Sequence, residues 1–132
     1  MSTTKRILII DDEADIREVA QIALEEAVSW ATLPAGSGAE GLAKAAAEAP
    51  DAILLDVMMP DMDGFQVLEQ LKADGRTAEI PVILLTAKVQ AARGPTSAKA
   101  AGVILKPFDP LTLGAEIARM LKWPEPALAR EA

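Results

Sequence analysis

Short unbroken apolar runs and longer stretches with apolar residues every three or four positions alternate along this chain. The first run, "RILII" from Arg6 to Ile10, is what a strand covered on both faces requires, and two aspartates end it. The period then changes: Ile16, Val19, Ala20, Ala23, Leu24 and Ala27 make one buried helical stripe. A weaker strand is expected from Val28 to Leu33. Next comes "GSGAEGLAKAAAEAP", in which Ser37 and Glu40 carry the spacing of a capping box and Pro50 lies beyond the alanine-rich helix. "AILL" from Ala52 to Leu55 predicts the third strand, and Phe65, Leu68 and Leu71 the third helix. Apolar runs from Ile80 to Leu85 and from Val103 to Leu105 predict two more strands. The last helix is expected to open at "FDPLTL", with Asp109 as cap and Pro110 at the first helical position, and to close near Lys122.

Five such strands alternating with helices imply parallel βαβ units with right-handed crossovers, hence a three-layer α/β domain over residues 1–122. The segment 123–132, "WPEPALAREA", has two prolines and no periodicity, and is expected to be a flexible tail. In folds of this kind, groups that act on ligands collect at the carboxyl ends of the strands. Asp11 and Asp12 follow the first strand, Asp56 the third, Thr86 the fourth and Lys106 the fifth. Taken singly, Asp12 or Asp15 is a helix starter, Thr86 an ordinary strand residue and Lys106 a solvated strand end. Their joint occurrence at four strand ends favours a shared site.

Composition narrows the chemistry available to that site. The chain of 132 residues has 51% hydrophobic residues but only two Trp, two Phe and no Tyr, so its core is expected to consist of small aliphatics. It has no Cys, consistent with a reducing compartment, and no His, which removes His-based triads, His-ligated zinc and phosphohistidine within the chain. A net charge of −7 argues against a nucleic-acid partner. No signal sequence or membrane-length apolar run is evident, so a cytoplasmic location without membrane contact is expected.

Two carboxylates about 4 Å apart repel by roughly 4 kcal/mol at an effective dielectric of 20. If Asp11, Asp12 and Asp56 converge, a cation must therefore accompany them. Lys106 can neutralise one charge, and a hard divalent ion such as Mg²⁺, held by carboxylates, a carbonyl and waters at roughly 2.0–2.1 Å, can neutralise more. A carboxylate beside Mg²⁺ is a competent nucleophile toward phosphorus, and Asp56 on its central strand is the best placed. Asp61 and Asp63 are assigned to the following loop, with Gly64 supplying a special backbone angle and Met58, Met59 and Met62 filling gaps.

These residues resemble the receiver domains of two-component response regulators. "ILIIDDE", "ILLDVMMPDMDGFQVL", "ILLTA" and "LKPFDPLTL" match the family's motif blocks in order, over about residues 5 to 122. The resemblance implies a (βα)₅ flavodoxin-like fold with strand order 2-1-3-4-5. It also implies that Asp56 accepts a phosphoryl group from a sensor histidine kinase or a histidine phosphotransfer protein. Asp12, Asp56 and the backbone carbonyl of Met58 would bind Mg²⁺ with help from Asp11, Thr86 and Lys106 would contact the phosphoryl oxygens, and Pro107 would follow a cis peptide bond.

Three positions depart from the family pattern. Val103 replaces a common aromatic. Gly94 and Pro95 interrupt the region of the fourth helix, which is expected to start late, near Pro95, and to be short. Met58 and Lys88 occupy positions that tune acyl-phosphate lifetime, and neither is suited to orient an attacking water, so self-dephosphorylation is expected to be slow. The leading expectation is a stand-alone signalling module, monomeric or weakly dimeric. An aspartate-nucleophile phosphohydrolase and a scaffold that is not phosphorylated are the alternatives.

Overall fold

In the computed structural model, which describes residues 4–88, 97–124 and 126, five parallel strands form one sheet in the order β2-β1-β3-β4-β5. The elements are β1 (Arg6–Ile10), α1 (Ala14–Ala27), β2 (Ala31–Ala35), α2 (Gly38–Glu48), β3 (Ala52–Asp56), α3 (Gly64–Ala73), β4 (Val82–Thr86), β5 (Gly102–Leu105) and α4 (Leu113–Leu121). Because side chains alternate across a strand, each central strand feeds two cores. Ile7, Ile9, Leu54, Ile83 and Leu85 pack on one face with Leu24 of α1 and Ile117 of α4. Leu8, Ile10, Ile53, Leu55, Val82 and Leu84 pack on the other with Val67, Leu68 and Leu71 of α3. This double burial explains why the strands read as continuous apolar runs rather than alternating ones. No helix among the described residues is long and apolar enough to cross a membrane.

Two elements differ from expectation. The second strand lies at Ala31–Ala35 instead of near Val28–Leu33, because the apolar Val28 and Trp30 plug the core from the connection before it. Its Pro34 is tolerated because β2 is an edge strand. Asp109 does cap, accepting the amide of Leu111 at 2.9 Å. What it caps is a turn, and α4 proper begins only at Leu113. The fourth helix expected from near Pro95 falls mostly outside the described residues; the part described, Ser97–Lys99, is a single 3₁₀ turn. Trp123, expected at the head of a loose tail, packs against the core. Its ring meets Trp30 edge-on at 5.5 Å, and Lys5 Nζ lies 4.5 Å from its centre.

The capping reading of α2 holds in half. Ser37 Oγ accepts the amide of Glu40 at 3.1 Å, but the Glu40 carboxylate reaches back to Gly36 N at 2.8 Å rather than to Ser37. A reciprocal box instead starts α3, where Asp63 accepts from Phe65 N at 2.8 Å and Gln66 accepts from Asp63 N at 3.2 Å. Gly64, read as supplying a backbone angle, is needed for space. A Cβ there would lie 2.4 Å from the Asp56 carbonyl oxygen and 2.6 Å from Val57 Cα, and its φ is not in the left-handed region.

That contact yields a stability prediction. Gly64→Ala forces backbone against backbone directly behind Asp56 and is expected to cost about 1–3 kcal/mol in urea unfolding. Gly75→Ala, whose Cβ would meet nothing within 4 Å, is expected to stay within about 1 kcal/mol of wild type. Equal midpoints for the two variants would contradict this reading.

Candidate functional site

β1 and β3 are neighbours in register, with Ile10 opposite Leu55, so the residues that follow, Asp11 and Asp56, emerge level with each other. Asp12 adjoins them, and one carboxylate oxygen from each of the three lies within 4.8 Å of the others. Asp11 is fully buried and Asp56 is 2% exposed, whereas Asp12 is partly open. β4 ends with Thr86, and β5 delivers Lys106, whose amide donates to the Thr86 carbonyl at 2.8 Å and whose bond to Pro107 is cis. The strand-end residues singled out from the sequence are thus collected at the carboxyl end of the sheet.

The Lys106 side chain, 13% exposed, points its ammonium at this cluster. Nζ is 3.1 Å from Asp11 Oδ2, 3.3 Å from Asp56 Oδ1 and 3.3 Å from Glu13 Oε1. Burial draws the Lys106 pKa down, but Asp11, Asp56 and Glu13 outweigh it and hold the proton more firmly than in a free lysine. The reverse holds for Asp56. Burial, then the charge of Asp11, push its pKa up from 3.8 to about 6, and Lys106 and the Met58 amide, 3.3 Å from Oδ1, only partly offset this.

Asp11 Oδ2, Asp12 Oδ1 and Asp56 Oδ2 are buried and accept no hydrogen bond. The ammonium near Asp11 Oδ2 makes an ion pair without hydrogen-bond alignment. Buried carboxylate oxygens left in this way are unfavourable. Three of them, all hard donors around one point, fit a hard divalent cation.

The Thr86 hydroxyl is engaged elsewhere: it accepts the Lys88 amide at 3.1 Å, closing a turn at the start of the loop after β4. Met58 is 59% exposed and so fills no gap, whereas Met59 and Met62 pack against the core as expected. Asp61 reaches across to α2, accepting Gly38 N at 3.1 Å and Ala39 N at 3.3 Å. The loop after Asp56 is therefore pinned at Gly64 and again at Asp61. Glu13 is the site neighbour that sequence reasoning missed. The only signal for it was a third consecutive acid in "DDE".

The raised Asp56 pKa gives stability a definite slope. Between pH 4 and 6 the folded chain holds a proton that the unfolded chain has released. The stabilisation is therefore complete below about pH 4 and is lost as pH rises through about 6. It amounts to roughly 3 kcal/mol at most, at 1.36 kcal/mol per unit. In EDTA at pH 7.5, Asp56→Asn is expected to unfold at higher urea than wild type and to flatten the decline between pH 4.5 and 7. Parallel pH profiles for the two proteins would contradict this.

A family model described as the response regulator receiver domain matches residues 7–118. The DNA-binding dual master transcriptional regulator RpaA of Synechocystis is 40% identical over 119 residues, covering 89% of this chain and 49% of that protein. The phosphate regulon transcriptional regulatory protein PhoB of Pseudomonas aeruginosa is 39% identical over 125 residues, covering 89% and 52%. The chain spans about half the length of these curated relatives. Among solved structures, the chemotaxis protein CheY4 of Vibrio cholerae superposes with a TM-score of 0.79 at 29% identity, over 89% of this chain and 99% of that one. A CheY-like receiver domain protein of Methanospirillum hungatei gives 0.80 at 30% identity, over 91% and 95%. With its strand order, its cluster of strand-end acids and a family match over most of its length, this chain belongs to the response regulator receiver domain family.

Proposed function

We propose that this chain is a phosphoacceptor switch in which Asp56 takes a phosphoryl group, in a Mg²⁺-dependent reaction, from the histidine of a sensor kinase or phosphotransfer protein. The observation that carries the reading is the pairing of a buried carboxylate whose pKa is raised to about 6 with an ammonium 3.3 Å away and with buried acid oxygens that lack partners. Near neutral pH the Asp56 carboxylate is mostly ionised and hence nucleophilic. Its oxygen forms a bond to phosphorus as the donor's P–N bond to imidazole breaks, and the imidazole leaves. Asp11, Asp12, Asp56 and the Met58 carbonyl would hold Mg²⁺, which when bound offsets the acids' charge and that of the phosphoryl oxygens.

The chain's own residues then rearrange. Lys106 transfers part of its contact from Asp11 and Asp56 to a phosphoryl oxygen. For Thr86 to reach another, its hydroxyl must leave the Lys88 amide, which frees the loop after β4. That exchange of partners is the proposed switch, since it converts a charge change of about two units at Asp56 into a change of backbone tethering. Output lies in what recognises the altered loop. The segment's net charge of −7 speaks against its touching a phosphate backbone itself. RpaA is described as DNA-binding.

Incubation with acetyl phosphate and Mg²⁺ is expected to add a single phosphoryl group to wild type, seen by intact mass. Asp56→Asn or an excess of EDTA is expected to abolish it. Continuous release of phosphate from a phosphomonoester, rather than stoichiometric labelling, would instead indicate a phosphohydrolase. With labelled protein in hand, Met58→Asn is expected to shorten the phosphoryl half-life several-fold by giving an attacking water a polar partner. A half-life that is unchanged or longer would refute the assignment of slow dephosphorylation to Met58.

A further inference from the structure

Glu13 occupies a helix-capping position without capping the helix. It is the N-cap residue of α1, with extended backbone at φ −83° and ψ 111°, yet its side chain accepts from no amide of that helix. It turns instead to Lys106, 93 positions away in sequence, at 3.3 Å. Its backbone is fixed, since its amide donates to Asp11 Oδ1 at 2.9 Å and its carbonyl accepts from Arg17 N at 3.0 Å. The carboxylate itself is 60% exposed. The ammonium of Lys106 is thus approached by Asp11 and Asp56 from the buried interior and by Glu13 from the solvent side.

A lysine ammonium has three donors, and here three carboxylates surround it. A phosphoryl oxygen arriving at Asp56 must displace one of them. Asp11 is fully buried and tied to the Glu13 amide, and Asp56 is the nucleophile. Glu13 alone has water to retreat into. Until it retreats, it both occupies the lysine and adds a negative charge on the side from which a donor enters.

We propose that Glu13 is a specificity-determining residue that competes for Lys106 and slows phosphorylation by small, freely diffusing dianionic donors. The inference rests on Asp56 being the phosphoacceptor and deepens that reading.

The test compares initial labelling rates with acetyl phosphate and with phosphoramidate, which carries one negative charge fewer, at saturating Mg²⁺ and low ionic strength. Removing one charge roughly 8 Å from an incoming dianion in water corresponds to about a sixfold gain, and from a monoanion to about 2.5-fold. Glu13→Gln is therefore expected to accelerate acetyl phosphate labelling about sixfold and phosphoramidate labelling about 2.5-fold, with both gains collapsing toward one at about 0.5 M NaCl. Glu13→Asp, one methylene shorter, keeps the charge but loses the contact and is expected to fall between Gln and wild type. A Glu13→Gln rate equal to wild type, or equal gains with both donors that ignore salt, would overturn the proposal.

A second measurement needs neither metal nor phosphodonor. Modification of Lys106 by a neutral amine-reactive reagent, read by peptide mass against the exposed Lys122, is expected to rise in Glu13→Gln. An unchanged Lys106 yield would overturn the competition for the lysine. Wild type that accepts no phosphoryl group from either donor, while Lys106 reactivity still responds to Glu13, would overturn the phosphoacceptor reading and the donor specificity built on it, leaving only the contact.

Discussion

Mutual repulsion among Asp11, Asp12 and Asp56 is the constraint to which the rest of this molecule is fitted. The strands that carry two of these acids are buried on both faces and locked side by side, so the charges cannot separate without disrupting both cores. Lys106 lessens the strain without removing it: burial, and then the charge of Asp11, still hold the Asp56 pKa above its ordinary value. The sheet therefore holds together like charges that further positive charge would offset.

Stiffness around the site is distributed unevenly. On the α2 side, Asp61 binds two amides at the start of that helix, and the Gly64 amide donates to the Val57 carbonyl at 2.9 Å, so the loop between is tethered at both points. On the β5 side, the loop after β4 is held near its origin by the Thr86 hydroxyl. Asp56 thus lies between a loop tethered at two points and a turn held by a single side-chain contact.

Much of this was legible in the sequence, for identifiable reasons. Buried parallel strands write themselves as unbroken aliphatic runs, so β1, β3 and β4 were located closely and their terminal Asp11, Asp56 and Thr86 with them. β2 was misplaced because Val28 and Trp30 are apolar for the sake of a loop that plugs the core, and periodicity does not distinguish that from a strand. Gly64 was noticed for the wrong reason, because steric crowding by a carbonyl eight residues earlier leaves no local mark. Asp63 and Gln66 did carry a local mark, the D-x-x-Q spacing of a capping box, which the loop assignment obscured. Asp61 and Glu13 act through partners 22 to 93 positions away, and only the folded chain reveals them.

The cluster of Trp30, Trp123 and Lys5 has a spectroscopic consequence. These are the protein's only two tryptophans, and Trp30 directly precedes the start of β2, at the pole of the sheet away from Asp56. Indole emission will therefore follow melting of the domain while staying largely silent to chemistry at the acids. Intrinsic fluorescence therefore reports unfolding of this domain with little interference from events at Asp56.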